Sequence, residues 1–237
     1  MKGFDYDTLY PQSLSLEIPA DILPAWRKDY ESMRQSMIYG QSVPFDELLA
    51  EIRQLNDRIR KLPYRVMTTK EIYLAGGCFW GTEHFFKQIA GVVETQVGFA
   101  NGLIDSPTYE QVYTDTTGYA ETVRVVYDPT HVSLEFLLRM FFVAIDPTSL
   151  NKQGHDEGTR YRTGIYYTDE ADRVVIDKVF VEEQVKYAQP LVVEREPLAN
   201  FYPADEYHQD YLDKHPDGYC HLPKALFEFA RKAKEKI

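Results

Sequence analysis

The sequence predicts an α/β or α+β domain, over about residues 68–222, behind an N-terminal helical extension. From about Thr68 onward, short segments with strand-like alternation take turns with segments of helical periodicity. Residues 21–62, by contrast, carry two helical stripes and no strand pattern. Hydrophobic residues make up 44% and charged residues 27% of the 237-residue chain, which is typical of a globular protein. The pattern alone does not decide between a parallel and a mixed sheet.

The extension, residues 1–67, is predicted to contain a helical hairpin over 21–62. The stripe of the first helix repeats at helical spacing and ends at Gly40; it consists of Trp26, Tyr30, Met33 and Met37. The second helix ends before Pro63 and carries Leu48, Ile52, Leu55, Ile59 and Leu62 on one face. We expect these two faces to pack on each other and on the following domain. A docking site for a partner or second subunit, or a methionine stripe that is itself a substrate, are the alternatives.

The elements after residue 68 follow from alternation, periodicity and end signals. Strands are predicted at Glu71–Ala75, Val92–Phe99, Glu121–Tyr127, Gly164–Tyr167 and Leu191–Arg195. Helices are predicted at Gly81–Ile89, at Ser133–Ala144 with Ser133 as N-cap, at Asp169–Tyr187 and from Pro223 onward. A long loop is predicted at Asp146–Arg162. The domain with its last helix is therefore assigned to residues 68–237.

Composition and charge exclude several classes of protein. The net charge of −11 disfavours partners such as nucleic acid or an anionic membrane. No apolar stretch approaches the roughly 20 residues of a membrane span, and the N-terminus lacks a signal-peptide core, so a cytoplasmic location is expected. Two cysteines form neither a disulfide framework nor a CxxC motif, and the six histidines show no ligand spacing. No metal and no organic cofactor is expected.

The segment GGCFWGTE places Cys78 between a predicted strand and a predicted helix. Gly76 and Gly77 allow a sharp turn and leave access to the sulfur. Free N–H groups at a helix N-terminus favour a thiolate, so the position is expected to lower the pKa of this thiol. Taken alone, the same pattern also fits a buried cysteine in a glycine turn.

Two further segments carry candidate polar residues. Glu121 opens a strand of alternating apolar residues, and burial there would raise the pKa of its carboxyl group and make it a proton donor. The loop GHDEGTRYR contains His155, Asp156 and Tyr161. A solvent-facing strand end and ordinary turn chemistry are the alternatives when each segment is taken alone.

Taken together and in order, these motifs resemble one family. GGCFWGTE, PTYE, TGYAETVRVVYDP, DPTSLNKQGHDEGTRYR, EYHQDYL and GYCH are similar to the A-type peptide-methionine sulfoxide reductases. The resemblance covers about Lys70–Leu222 and implies a mixed-sheet α/β plait with flanking helices. It implies thiol-dependent reduction of the S epimer of methionine sulfoxide, in proteins or free, with thioredoxin or another dithiol as reductant.

The resemblance also implies roles for individual residues. Cys78 matches the nucleophile, Glu121 the acid that protonates the sulfoxide oxygen, and Cys220 the resolving cysteine of one branch of the family. Residues matching the substrate pocket are Phe79 and Trp80 as an aromatic wall, Tyr109 and Tyr161 as phenols that hydrogen-bond the oxygen, and Asp156 as an organising acid. Because Cys220 lies in a Gly- and Pro-flanked segment, we expect a mobile loop that keeps it distant from Cys78 until oxidation.

The chain departs from the common family pattern at three positions near these motifs. Tyr119 stands where many members have His, Tyr113 where many have Cys, and His155 where many have Asn. None is a matched nucleophile or acid, although His155 is a candidate for altering the electrostatics of the pocket. The competing hypotheses are a redox-sensing, sulfoxide-binding module that uses a Cys78–Cys220 disulfide, and a thiol peroxidase that does not depend on Glu121.

Overall fold

A computed structural model describes residues 69–235, and before them Lys28, Pro44 and residues 46–47, 49–50 and 52–54. Most of the helical hairpin predicted over 21–62 therefore lies outside the described residues. Lys28 and the described residues between 46 and 54 are helical. The extension and its boundary at residue 67 stay predictions.

A mixed six-stranded sheet forms the centre of the domain after residue 68, and it settles the choice between a parallel and a mixed sheet that the pattern left open. Its strands are β1 (Lys70–Gly76), β2 (Val92–Ala100), β3 (Ala120–Tyr127), β6 (Thr163–Tyr167), β7 (Glu194–Pro197) and β8 (Phe201–Pro203). The order across the sheet is β7-β6-β1-β3-β2-β8. Neighbouring strands are antiparallel except β6 and β7, which are parallel. Two short strands, β4 (Lys152–Gln153) and β5 (Asp156–Glu157), form a separate antiparallel pair.

Helices join and cover these strands. They are α1 (Phe79–Lys87), α2 (Tyr109–Tyr113), α3 (Leu134–Ala144), α4 (Asp172–Gln184), α5 (Tyr211–Lys214) and α6 (Lys224–Lys232), with a 3-10 turn at Thr159–Tyr161. Ser133 caps α3 as predicted, because its side chain accepts a hydrogen bond from the N–H of Phe136 (3.0 Å). No helix within the described ranges is long and apolar enough to cross a membrane.

Alternation along the strands places the main core on one face of the sheet. Ile72 and Leu74 of β1 join Val123 and Val125 of β3 in this core, together with the apolar faces of α1, α3 and α4. The opposite face carries a smaller cluster that includes Tyr73 and that the segment around β8 covers. Because β3 lies near the middle of the sheet, nearly all of its residues are buried.

Three predicted boundaries need correction. The helix predicted at Asp169–Tyr187 spans only Asp172–Gln184, because the Asp169 carboxylate accepts from the N–H of Ala171 (2.9 Å) and forms a turn before it. The strand predicted at Leu191–Arg195 pairs with β6 only from Glu194 onward. The loop predicted at Asp146–Arg162 contains β4, β5 and the 3-10 turn.

Candidate active site

A glycine turn between β1 and α1 carries Cys78. Gly77 has φ +84, in the left-handed region, and a Cβ at this position would lie 2.6 Å from Cβ of Gln153. Only glycine fits both requirements. Cys78 follows as the N-cap residue of α1 and is 5% exposed. The predicted strand–cysteine–helix arrangement is thus present.

Glu121 lies beside this turn, on the core face at the start of β3. Its carboxylate is buried and accepts a hydrogen bond from the backbone N–H of Phe79 (3.0 Å). Burial raises its pKa to about 8, against a smaller lowering by the Phe79 N–H and by Arg160. The carboxyl group therefore carries a proton at neutral pH, as the apolar strand pattern predicts.

The pKa of the Cys78 thiol is raised, and not lowered as its position at a helix N-terminus predicts. Burial raises its pKa well above the usual value, and the negative charge of Glu121 raises it further. The backbone N–H groups of Trp80 and Gly81 lower it, as the sequence predicts, but by less. Desolvation therefore outweighs the helix end, and the substrate-free protein holds a thiol rather than a thiolate.

A cavity of about 330 Å³ opens onto both groups. It brings together every residue predicted for the substrate pocket; its lining is Cys78, Phe79, Trp80, Tyr109, Tyr113, Glu121, Asp156, Tyr161 and Tyr219. Burial raises the pKa of the Tyr109 and Tyr161 phenols, and the nearby Glu121 raises both further. Both hydroxyl groups therefore stay protonated and can donate hydrogen bonds.

Asp156 lies at one side of this cavity, held by a residue that the sequence analysis did not assign. The hydroxyl of Tyr219 donates to its Oδ1 (2.8 Å), while its Oδ2 is buried without a hydrogen-bond partner among the described residues. Tyr219 belongs to the GYCH motif, and its position next to Cys220 is the feature of the sequence that could have indicated a role for it.

Arg160 packs against two of the tyrosine rings that line the cavity. Its guanidinium lies 4.1 Å from the ring centroid of Tyr113 and 4.4 Å from that of Tyr161. It also pairs with the carboxylate of Asp115 (2.5 Å), which accepts the backbone N–H of Arg160 as well. The sequence analysis did not assign Arg160 or Asp115; the GTRYR motif contains the arginine.

A stack of aromatic rings extends the wall that the sequence predicts at Phe79 and Trp80. The ring of Tyr211 stacks on Trp80 (3.7 Å between centroids), and the ring of His208 stacks on Tyr109 (4.4 Å). Both added rings belong to the EYHQDYL motif, to which the sequence analysis gave no role. Burial lowers the pKa of His208, so this ring is neutral and joins the apolar wall.

Cys220 packs against the first turn of α1, whereas the sequence predicts a loop that keeps it distant from Cys78. Its Sγ lies 3.0 Å from the position that a Cβ on Gly81 would occupy, and Gly81 is in the first turn of α1. The loop is therefore packed on the helix that follows Cys78 and not held away from it, and glycine at 81 makes this approach possible. Both cysteines are free thiols.

The three departures from the family pattern lie in different surroundings. Tyr119 is buried and its hydroxyl donates to the carbonyl oxygen of Ile104. Tyr113 lies at the edge of the cavity with its ring against Arg160. His155 is exposed and does not line the cavity. The predicted influence of His155 on the electrostatics of the pocket would therefore not act through direct contact.

Comparison with known proteins places this site in a family. The model of the family "Peptide methionine sulfoxide reductase" matches residues 70–236. "Peptide methionine sulfoxide reductase MsrA" of Clostridium acetobutylicum is 56% identical over 67% of this chain and 98% of its own length. The protein of the same name from Lachnoclostridium phytofermentans is 52% identical over 69% of this chain and 99% of its own length.

Two solved structures agree with this result. Reduced Mxr1 from Saccharomyces cerevisiae superposes with a TM-score of 0.63 at 41% identity, covering 68% of this chain and 93% of that one. Methionine sulfoxide reductase A of Corynebacterium diphtheriae gives 0.59 at 37% identity, covering 68% of this chain and 80% of that one.

Proposed function

The chain belongs to the peptide methionine sulfoxide reductase family, of the MsrA type, and reduces methionine sulfoxide to methionine; we propose that Cys78 is its nucleophile and Glu121 its acid. One observation carries this assignment. A buried carboxyl group with a pKa of about 8 and a buried thiol open onto the same aromatic cavity. Sulfoxide reduction needs such a pair because the oxygen leaves readily only after it is protonated.

The reducing step balances as follows. The sulfur of Cys78 attacks the sulfoxide sulfur while Glu121 gives its proton to the sulfoxide oxygen, and the thiol proton passes to the carboxylate left behind. The sulfur–sulfur bond then breaks as the hydroxyl group moves to Cys78. The products are methionine and a Cys78 sulfenic acid, so the sulfoxide is reduced by two electrons and the thiol is oxidised by two.

Tyr109 and Tyr161 orient the oxygen through hydrogen bonds from their protonated phenols. The rings of Phe79 and Trp80 take the methyl group attached to sulfur and exclude water. Asp156, held by Tyr219, organises the remaining side of the pocket. Because oxygen, methyl group and nucleophile each have a separate place, the pocket accepts one epimer, and the family resemblance indicates the S form.

Recycling uses Cys220. Its thiol condenses with the sulfenic acid to give a Cys78–Cys220 disulfide and water, and thioredoxin or another dithiol reduces this disulfide by exchange. The packing of Cys220 against Gly81 supports the step, because it brings the second thiol to the first turn of the helix that follows Cys78. The substrates are oxidised proteins or free methionine sulfoxide, and two free thiols fit the reducing cytoplasm predicted from the sequence.

The test is multiple turnover of the two epimers of a peptide-bound methionine sulfoxide with dithiothreitol or thioredoxin. We expect the S epimer to be consumed and the R epimer to remain, and Cys78→Ser to abolish the reaction. Activity that persists in Cys78→Ser, or equal consumption of both epimers, would overturn the proposal. Peroxide consumption independent of Glu121 would instead favour the peroxidase hypothesis.

A further inference from the structure

Three side chains of metal-binding type meet beside the nucleophile. The Cys78 thiol, one carboxylate oxygen of Asp156 and one ring nitrogen of His221 all lie within 4.8 Å of one another. They come from three separate parts of the chain: the N-cap of α1, strand β5 and the loop before α6. Sequence spacing gave no sign of this group, because only the fold brings it together.

Two of these side chains have unused binding capacity. Both ring nitrogens of His221 and the Oδ2 atom of Asp156 are buried, and none makes a hydrogen bond of normal geometry within the described residues. Buried polar atoms rarely stay unpaired, since they lose their hydrogen bonds to water without gaining a partner. The other oxygen of Asp156 is held by the hydroxyl of Tyr219 (2.8 Å), which fixes the direction of the carboxylate.

We propose that Cys78, Asp156 and His221 form a binding site for a zinc-type divalent metal ion, which reversibly blocks the enzyme in its reduced state. Thiolate, imidazole and carboxylate are the three ligand types that zinc takes, at bond lengths of about 2.0–2.3 Å. Such bonds leave ligand atoms about 3.5 Å apart around a tetrahedral ion, so small side-chain rotations from the observed separation suffice. The thiolate disfavours magnesium and calcium.

Occupancy of this site stops sulfoxide reduction directly. The thiol proton of Cys78 leaves to solvent as the sulfur–metal bond forms, and no electrons are transferred. The sulfur lone pair that attacks the sulfoxide is then engaged, and two of the three ligands, Cys78 and Asp156, line the substrate cavity. The site goes beyond the reductase reaction and is measurable without any sulfoxide.

The test is a zinc titration of the full reduced chain in competition with a chromophoric chelator. We expect one ion per chain, loss of reductase activity in parallel with occupancy, and recovery on addition of excess chelator. His221→Ala should weaken zinc binding at least about tenfold, which is about 1.4 kcal/mol. His155→Ala is the matched control, because His155 adjoins Asp156 in sequence but is exposed, and it should bind zinc as the wild type does.

Cobalt(II) in place of zinc shows directly, in the wild-type chain, whether a thiolate is a ligand. The wild-type chain should show a thiolate-to-cobalt charge-transfer band that Cys78→Ser lacks. Absence of that band in the wild type, or equal zinc affinity in wild type, Cys78→Ser and His221→Ala, would overturn the inference. A chain that reduces sulfoxide but binds no zinc would leave the proposed function intact.

Discussion

Burial determines the protonation of Cys78 and Glu121. Desolvation raises the pKa of both groups, to about 8 for the carboxyl group and well above the usual value for the thiol. Two buried acids that face each other also oppose ionisation of one another, so the resting pair holds both protons at neutral pH. In the proposed reaction, Glu121 is then ready to donate its proton, and Cys78 loses its own proton only as it attacks the sulfoxide.

Glu121→Gln tests the acid at the scale of one side chain. The amide keeps the shape but carries no acidic proton, so turnover should fall by roughly 10²–10⁴-fold, the usual share of general acid catalysis. Steady-state rates with the S epimer measure this. Glu94→Gln is the matched control, because Glu94 lies on the adjacent strand β2 with its side chain exposed, and it should keep the wild-type rate. A near-wild-type rate for Glu121→Gln at neutral pH would remove Glu121 from the mechanism.

The same variant tests the electrostatic coupling. The Glu121 carboxylate raises the pKa of the Cys78 thiol, so Glu121→Gln should lower that pKa while burial still keeps it elevated. The pH dependence of iodoacetamide alkylation of Cys78, followed by mass spectrometry in a Cys220→Ser background, reports the titration of this thiol. A thiol pKa unchanged or higher in the double variant would contradict the account.

At this scale the sequence predicted which side chains line one cavity better than it predicted their protonation. The GGCFWGTE motif led to Cys78, and the alternation around Glu121 predicted a buried acid whose pKa is raised. The pKa of the Cys78 thiol was predicted to be lowered because the helix end can be recognised in the sequence. The depth of its burial, which raises that pKa, is a property of the fold. Tyr219 and His221 were missed because their partners lie far away in the chain.

At the scale of elements, the first turn of α1 and the Cys220 loop form one unit. A Cβ at Gly81 would lie 3.0 Å from Cys220 Sγ and 3.0 Å from ring atoms of His221, which is tighter than ordinary contact. The helix itself would favour alanine over glycine by about 1 kcal/mol. Glycine at this position therefore serves the approach of the loop and not the helix.

Gly81→Ala should consequently separate the two half-reactions. We expect the added methyl group to push the Cys220 loop away and slow disulfide formation, so that multiple turnover with thioredoxin falls more than the first turnover does. Rapid-quench measurement of methionine release gives the rate of the first turnover, and steady-state assays with thioredoxin give the rate of multiple turnover. Equal rates of recycling in Gly81→Ala and wild type would show that the loop does not need this contact.

Element prediction succeeded where the pattern was long and failed where it was short. The five long strands and helices around β1, β2, β3, α1 and α3 follow periodicity, and their observed ends lie within a few residues of the predicted ones. The short elements α2, α5 and β8 have three to five residues, too few to show a period. Two of them serve the cavity, since Tyr109 of α2 lines it and Tyr211 of α5 stacks on the Trp80 ring that lines it.

At the scale of the whole molecule, strand order creates the active site. Placing β1 and β3 side by side brings the Cys78 turn next to Glu121, although the two residues lie in different motifs. Pattern alone could not give this order, because alternation shows which face is buried and not which strands are neighbours. The family resemblance supplied the mixed sheet that the pattern left open.

The extension over residues 1–67 is tested by truncation. Its two predicted apolar stripes contain nine side chains, each worth about 1.5–3 kcal/mol when fully buried, which is too much apolar surface to leave in water. A chain that starts at residue 68 should keep the reductase chemistry but lose stability or solubility. Thermal unfolding and sedimentation measure this, and an unchanged melting temperature with an unchanged oligomeric state would contradict it.

In the proposed cycle, Cys78 reduces the sulfoxide, and Cys220 serves only to regenerate the oxidised Cys78. The most direct measurement is the amount of methionine released by Cys220→Ser from each epimer of methionine sulfoxide, together with the mass of the Cys78 peptide after trapping. We expect one equivalent of methionine per chain from the S epimer, none from the R epimer, and a sulfenic acid on Cys78. Undiminished multiple turnover of Cys220→Ser with thioredoxin, or oxidation found on a residue other than Cys78, would contradict it.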